Sequence, residues 1–189
     1  MIIGIDAGHG GKNHGARNLD GDLREPGITL HVATIAANKL LLDGIAAPLI
    51  RIDDCDLTLD ERAGIAKRAR CDAVVSVHLN WSPNGTRQGG ELYHHPSDRV
   101  GERLGVVILS SVPPPYEWRV WDSSYRIDRK IACPGAWAVT SAYANAGVPC
   151  ALIELAFLSS PHDVDWLRHQ DTITVLGEAV AVGIERYRP

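Results

Sequence analysis

Four short apolar runs punctuate the chain, at residues 2–5, 48–52 (PLIRI), 73–77 (AVVSV) and 151–155 (ALIEL). Each is β-branched or leucine-rich and stops at polar residues or glycine, the pattern of strands buried on both faces of a sheet. Between them, apolar positions recur at helical spacing. Leu30, Ala33, Ala37, Leu40 and Leu41 form one stripe; Val100, Leu104, Val107 and Ile108 form another. Thr58 and Glu61, in TLDE, have the spacing of a capping box and predict a helix start. Ser160 followed by Pro161 predicts a second start. A last stripe runs over residues 173–187 and carries Gly177 and Gly183. Strands alternating with helices predict an α/β fold: a single three-layer domain with a mostly parallel, twisted sheet flanked by helices.

Residues 112–130, VPPPYEWRVWDSSYRIDRK, break this rhythm. The prolines end the third helix, and the segment reads as a long irregular loop carrying Tyr116, Trp118, Trp121 and Tyr125. Loops of that length in a small domain usually serve a function. Two readings stay open: the rings form one wall of a ligand groove, or they form a hydrophobic cluster that pins the loop. Arg119, Arg126 and Arg129 are placed to meet carboxylates, with surface solvation the favoured role for each.

Composition narrows the classes. A chain of 189 residues suits one domain. A formal charge of −4 supplies no basic face, which argues against nucleic acid as a partner. No apolar run approaches the roughly 20 residues of a membrane helix, so no membrane insertion is expected. The first segment lacks a basic start and has Asp6 where a signal peptide would still be apolar, so synthesis in the cytoplasm without an export signal is expected. Cys55, Cys71, Cys133 and Cys150 form no CxxC pair, which argues against thiolate-held zinc. They read as small buried residues rather than disulfides.

Ligands gather at the carboxyl ends of parallel strands. His9 follows the first strand on a glycine-lined turn, and His78 ends a central one. Glu25 precedes the first helix on a Pro-Gly turn. Glu154 lies inside an otherwise apolar run. Two histidines and a carboxylate are a common catalytic zinc set, leaving a fourth position for water. A glutamate in an apolar strand suits acid/base work, because desolvation raises its pKa. Each residue also has a structural reading. His9 could cap a turn, His78 could be a satisfied core histidine, and Glu25 is favoured by the helix dipole. Glu154 needs a partner or a task, since an unpaired buried carboxylate is costly.

Several segments, in order, resemble the zinc-dependent N-acetylmuramoyl-L-alanine amidases of the amidase-3 type, which cut peptidoglycan. They are GIDAGHGGKNHGA, LREPGITL, LTLDERAGIAKRARCDAVVSVHLN, GGELYHHP and VPCALIELAFLSSPHD. The resemblance covers nearly the whole chain. It implies one Zn2+ held by His9, Glu25 and His78, with Glu154 as catalytic acid/base. The substrate it implies is the amide between the lactyl group of N-acetylmuramic acid and L-alanine. Asp6 then supports the His9 loop or is a plain turn residue. Asn80 bonds substrate or, preferably, its own loop. Tyr116, Trp118, Trp121 and Arg126 are the remaining substrate-contact candidates. Glu91, His94 and His95 read as a solvated edge strand before they read as substrate contacts, and His14, His31, His162 and His169 as surface residues. No repeat module that grips the wall is seen, so residues 1–189 are expected to form one catalytic domain. A monomeric phage endolysin fits, delivered to the wall by a holin-type release partner, as does a wall-degrading module detached from a larger chain. The alternatives are a non-catalytic wall-binding or regulatory protein of the same fold, and a related zinc peptidase or amidohydrolase.

Overall fold

The computed structural model describes the chain except residues 115, 123–125, 128–129, 132, 170 and 188–189, and the side chains of 122, 126–127 and 130–131. In chain order the elements are β1 (Ile3–Ala7), α1 (Glu25–Leu42), α2 (Leu59–Arg68), β2 (Ala73–Asn80), β3 (Gly90–His94), α3 (Arg99–Leu109) and β4 (Trp118–Asp122). Then come β5 (Arg126–Ile127), β6 (Lys130–Ile131), α4 (Pro134–Asn145), β7 (Cys150–Phe157), α5 (Pro161–Arg168) and α6 (Thr172–Arg186).

The main sheet has the order β1-β2-β7-β3-β4. All its neighbouring pairs are parallel except β7–β3. Helices α1, α3 and α6 cover one face, where Val32, Leu40, Leu104, Ile108, Leu176 and Val180 pack on Ile5, Val75, Val77 and Ile153. Helices α2 and α4 cover part of the other face over a smaller core that includes Ala63, Ala66, Val139, Tyr143 and Leu152. The three-layer, mostly parallel architecture is the one the sequence pattern predicts.

Gly177 and Gly183 are explained by this packing. A Cβ on Gly177 would come 2.6 Å from the Ile35 side chain on α1, and one on Gly183 would come 2.5 Å from Ile108 Cα on α3. The two glycines let α6 lie close against both helices. The predicted helix starts also form: Thr58 and Glu61 make both bonds of a capping box, and the Ser160 side chain accepts from Asp163 N.

Four expectations need correction. Residues 48–52 do not form a full strand: Leu49 makes an isolated parallel bridge to Ile5. Pro48 has no N–H to give the ladder, and Arg51 turns inward to bond the β1 end instead. Residues 112–130 are not one loop, since β4 pairs in parallel with β3. That pairing makes β3 internal, so Glu91 and His94 are buried rather than on a solvated edge. Of the cysteines, all free, only Cys150 is buried; Cys55, Cys71 and Cys133 are half-buried.

Candidate metal centre

At the carboxyl end of β1 the chain turns sharply, and His9 takes a positive φ of 57°. That region is uncommon for any residue but glycine and persists only where the surroundings hold it. Two buried arginines do so. Arg62 Nη2 donates to the His9 carbonyl at 2.6 Å, and Arg62 Nη1 donates to Ala7 O at 2.7 Å and Asp6 Oδ1 at 2.6 Å. Arg51 donates to Ala7 O at 3.0 Å, Gly8 O at 3.1 Å and Pro26 O at 2.8 Å. Asp6 is itself buried and accepts from Ser76 and Tyr143. It therefore supports the turn from beneath, as one of its two expected readings held.

Glu25 is the first residue of α1, and its carboxylate is fastened to neighbouring backbone. Oε2 accepts from Ala16 N at 2.7 Å, and Oε1 accepts from Leu79 N at 2.9 Å. Oε1 also lies 3.2 Å from His9 Nε2 and 3.0 Å from His78 Nδ1. The two imidazoles meet edge to face, with centroids 5.0 Å apart. One ligand atom each from His9, Glu25 and His78 lies within 4.8 Å of the other two. The other His9 nitrogen, Nδ1, sits 2.7 Å from Asn13 Oδ1, which fixes the ring. Burial pushes the Glu25 carboxyl upward, but hydrogen bonds from His78 and His9 prevail and hold it at about 2. His9 moves the other way: burial lowers its pKa, yet the bond to Glu25 leaves it raised. A cleft of about 210 Å3, lined in part by His9, Thr58, Arg62 and His78, opens onto the cluster.

Strand register sets the acid/base candidate. His78 on β2 is opposite Glu154 on β7, and Glu154 is opposite Glu91 on β3. Directly paired residues point to the same face, so the three side chains stand in a row. Glu154 is 6% exposed, and among the described residues its Oε2 has no hydrogen-bond partner. Its carboxyl is pushed well above the usual range, first by burial and then by the charges of Glu25 and Glu91. Glu91, fully buried, is the opposite case: its carboxylate accepts from Asn80, Tyr93, Trp121 and Arg87.

The other substrate-contact candidates are mostly tied into the protein. Asn80 bonds Glu91 and the Trp81 backbone. Tyr116 turns inward, donating to Leu155 O at 2.9 Å and packing against Trp166. Trp118 is half-buried against the larger core. Trp121 reaches Glu91 with its indole N–H. Physically, the pairing of β4 with β3 draws Trp118 and Trp121 into contact with the protein. Arg119 is exposed, within 3.5 Å of Gln88 O. Tyr125, Arg129 and the Arg126 side chain lie outside the described residues. His14, His31, His162 and His169 are exposed.

Sequence reasoning missed Arg51, Arg62 and Trp81, and read Glu91 as edge polarity before a substrate contact. Trp81 carried a signal, as an aromatic residue just past a strand that ends in a candidate ligand. The arginines carried none, because nothing local distinguishes a buried arginine from a surface one.

The three-layer α/β sheet thus brings His9, Glu25 and His78 together as a possible metal site, beside a buried carboxyl, at its strand ends. The chain belongs to the Amidase_3 family of N-acetylmuramoyl-L-alanine amidases, whose family model matches residues 3–186. Three similarities illustrate this. The Bacillus subtilis protein YqiI is 32% identical over 97% of this chain and 82% of its own. The germination-specific N-acetylmuramoyl-L-alanine amidase of Bacillus subtilis is 26% identical over 98% of this chain and 79% of its own. The structure of the amidase AmiC2 of Nostoc punctiforme superposes with a TM-score of 0.76, at 28% identity, covering 99% of this chain and 96% of that one. The family acts on peptidoglycan, so the protein works at the cell wall. Among the described residues no helix is long and apolar enough to cross a membrane.

Proposed function

We propose that His9, Glu25 and His78 hold one zinc ion, and that Glu154 moves the proton in hydrolysis of the amide between N-acetylmuramic acid and L-alanine. The observation that carries this reading is the meeting of three ligand atoms from three distant points of the chain within 4.8 Å. The donor set fits. Imidazole nitrogen and carboxylate oxygen both suit zinc, and three protein ligands leave a fourth position open. Tetrahedral zinc with bonds of about 2.0–2.1 Å sets its ligand atoms about 3.4 Å apart. The separations of 3.0 and 3.2 Å around Glu25 Oε1 are close to that. Bound there, zinc would supply a Lewis acid able to acidify water and polarise an acyl oxygen.

The chain's own residues do the rest. Asn13 orients the His9 ring, while Arg51 and Arg62 hold the backbone that carries it. Glu154, raised in proton affinity by burial, accepts the proton of the attacking water and delivers it to the departing alanine nitrogen. Product analysis on purified peptidoglycan tests this. New L-alanine amino ends should appear without new reducing sugar ends, and Glu154→Ala should keep its zinc yet release nothing. Cleavage within the stem peptide, or undiminished activity in Glu154→Ala, would overturn it.

A further inference from the structure

Beside the cradle lies a second groove of about 560 Å3, lined by Gly15, Ala16, Arg17, Asn18, Leu19 and Trp81. It is joined directly to the metal residues. Ala16 N donates to Glu25 Oε2 at 2.7 Å, and Glu25 N donates back to Ala16 O at 3.0 Å. A Cβ on Gly15 would come 2.5 Å from Glu25 Oε2 and 2.7 Å from His9 Cδ2. Trp81 enters from the other side, three residues past His78.

The groove presents three things to solvent. The Trp81 indole is 48% exposed and Leu19 is 91% exposed, two of the few large apolar side chains left open. Arg17 is exposed and, among the described residues, has no side-chain partner. The acids nearest in sequence do not neutralise it, because Asp20 and Asp22 both pair with Arg168. Apart from the Arg17 guanidinium and the Trp81 indole N–H, no side chain of this described lining offers a free hydrogen-bonding group. Asn18 is buried, its Oδ1 accepting from Gly21 N and Leu23 N and its Nδ2 donating to Asp22.

We infer that this groove is the subsite for the stem peptide, with Arg17 binding a stem carboxylate and Trp81 and Leu19 packing on the peptide beside it. The inference rests on the peptidoglycan reading above and adds which half of the substrate lies where. An uncharged sugar offers no countercharge to the Arg17 guanidinium, and the amide of Asn18 is already spent on its own loop. An anionic peptide with small apolar side chains asks for a cation and apolar walls, and both are present. A free guanidinium is well suited to a carboxylate, since its planar fork matches the two oxygens.

The test compares two soluble muramoyl peptides, one with its stem carboxylates free and one with them amidated, using the zinc-loaded protein. Arg17→Gln should lower kcat/KM about tenfold on the free acid and leave the amidated substrate unchanged, as expected for one lost charge-assisted bond. Trp81→Ala should lower kcat/KM on both, independently of glycan length. Calorimetric titration of the released stem peptide into the inactive Glu154→Gln variant gives a readout apart from turnover: binding should weaken when Arg17→Gln is added. Equal losses on both substrates, no loss at all, or a Trp81→Ala defect that grows with the number of sugars would overturn the assignment; the last would give the groove to the glycan. Failure of the wild-type protein to release L-alanine ends would instead refute the amidase reading, while the peptide titration would still judge the groove.

Discussion

Replacing Arg62 with methionine tests how the His9 turn is held. The guanidinium is 4% exposed and donates to Leu57 O, Asp6 Oδ1, Ala7 O and His9 O. Methionine fills much of the volume but leaves Asp6, 1% exposed, as a buried carboxylate whose remaining side-chain hydrogen-bond donors among the described residues are the neutral hydroxyls of Ser76 and Tyr143. Breaking a buried ion pair from one side costs about 3–5 kcal/mol. For a domain of this size each kcal/mol moves Tm by about 2–4 °C, so the metal-free variant should melt about 6–20 °C lower. The His9 carbonyl also loses its anchor, and zinc affinity should fall about tenfold to a hundredfold, the usual effect of removing an outer support of a metal ligand. Asp6→Asn with Arg62→Met should cost less than the sum of the two single changes, because the uncompensated charge is gone. Thermal unfolding of the metal-free proteins and zinc competition against a chelator give both quantities. A Tm change under about 2 °C, or strict additivity in the double variant, would refute the idea that this pair holds the turn.

Other expectations follow from the same geometry. Gly15→Ala places a Cβ against Glu25 and His9 at a positive φ of 55°, so it should lose most of its zinc, read by metal analysis, while keeping its far-ultraviolet dichroism. In the metal-free folded protein Glu154 keeps its proton to higher pH than in the unfolded chain, so its stability contribution falls as pH rises above the ordinary carboxylate range. Glu154→Gln should therefore raise the Tm of the metal-free protein at pH 7 by a few degrees, with the difference vanishing near pH 4, while hydrolysis is lost. Glu25 is the converse: its contribution is complete above the ordinary carboxylate range and is lost as pH falls towards about 2. Glu25→Gln should flatten the acid limb of the metal-free stability curve.

The parts of the fold legible in the sequence are those written locally. Thr58 with Glu61, and Ser160 with Pro161, start helices by contacts within one turn, and the apolar runs of β1, β2 and β7 need no partner to be recognised. Residues 48–52 carry the same apolar pattern, but whether they join the ladder depends on where Arg51 goes. Helix α4 was missed because its alanines and small polar residues give little amphipathic contrast; Pro134 at its start was the one available sign. The segment 112–130 hid β4 because parallel pairing with β3 is a long-range fact. The site was partly legible for the same reason. His9, Glu25, His78 and Glu154 stand at element ends or in apolar runs where polar residues are conspicuous. Glu91 looked like edge polarity because its four donors come from four separate positions, and Arg51 and Arg62 became visible as clamps only when the β1 turn folded over them.

The central claim is that three side chains share one ion. Metal analysis of the purified wild-type protein beside His78→Ala addresses it most directly. The account predicts about one zinc per chain in the wild type and almost none in the variant. A variant that keeps the wild-type metal load would contradict it.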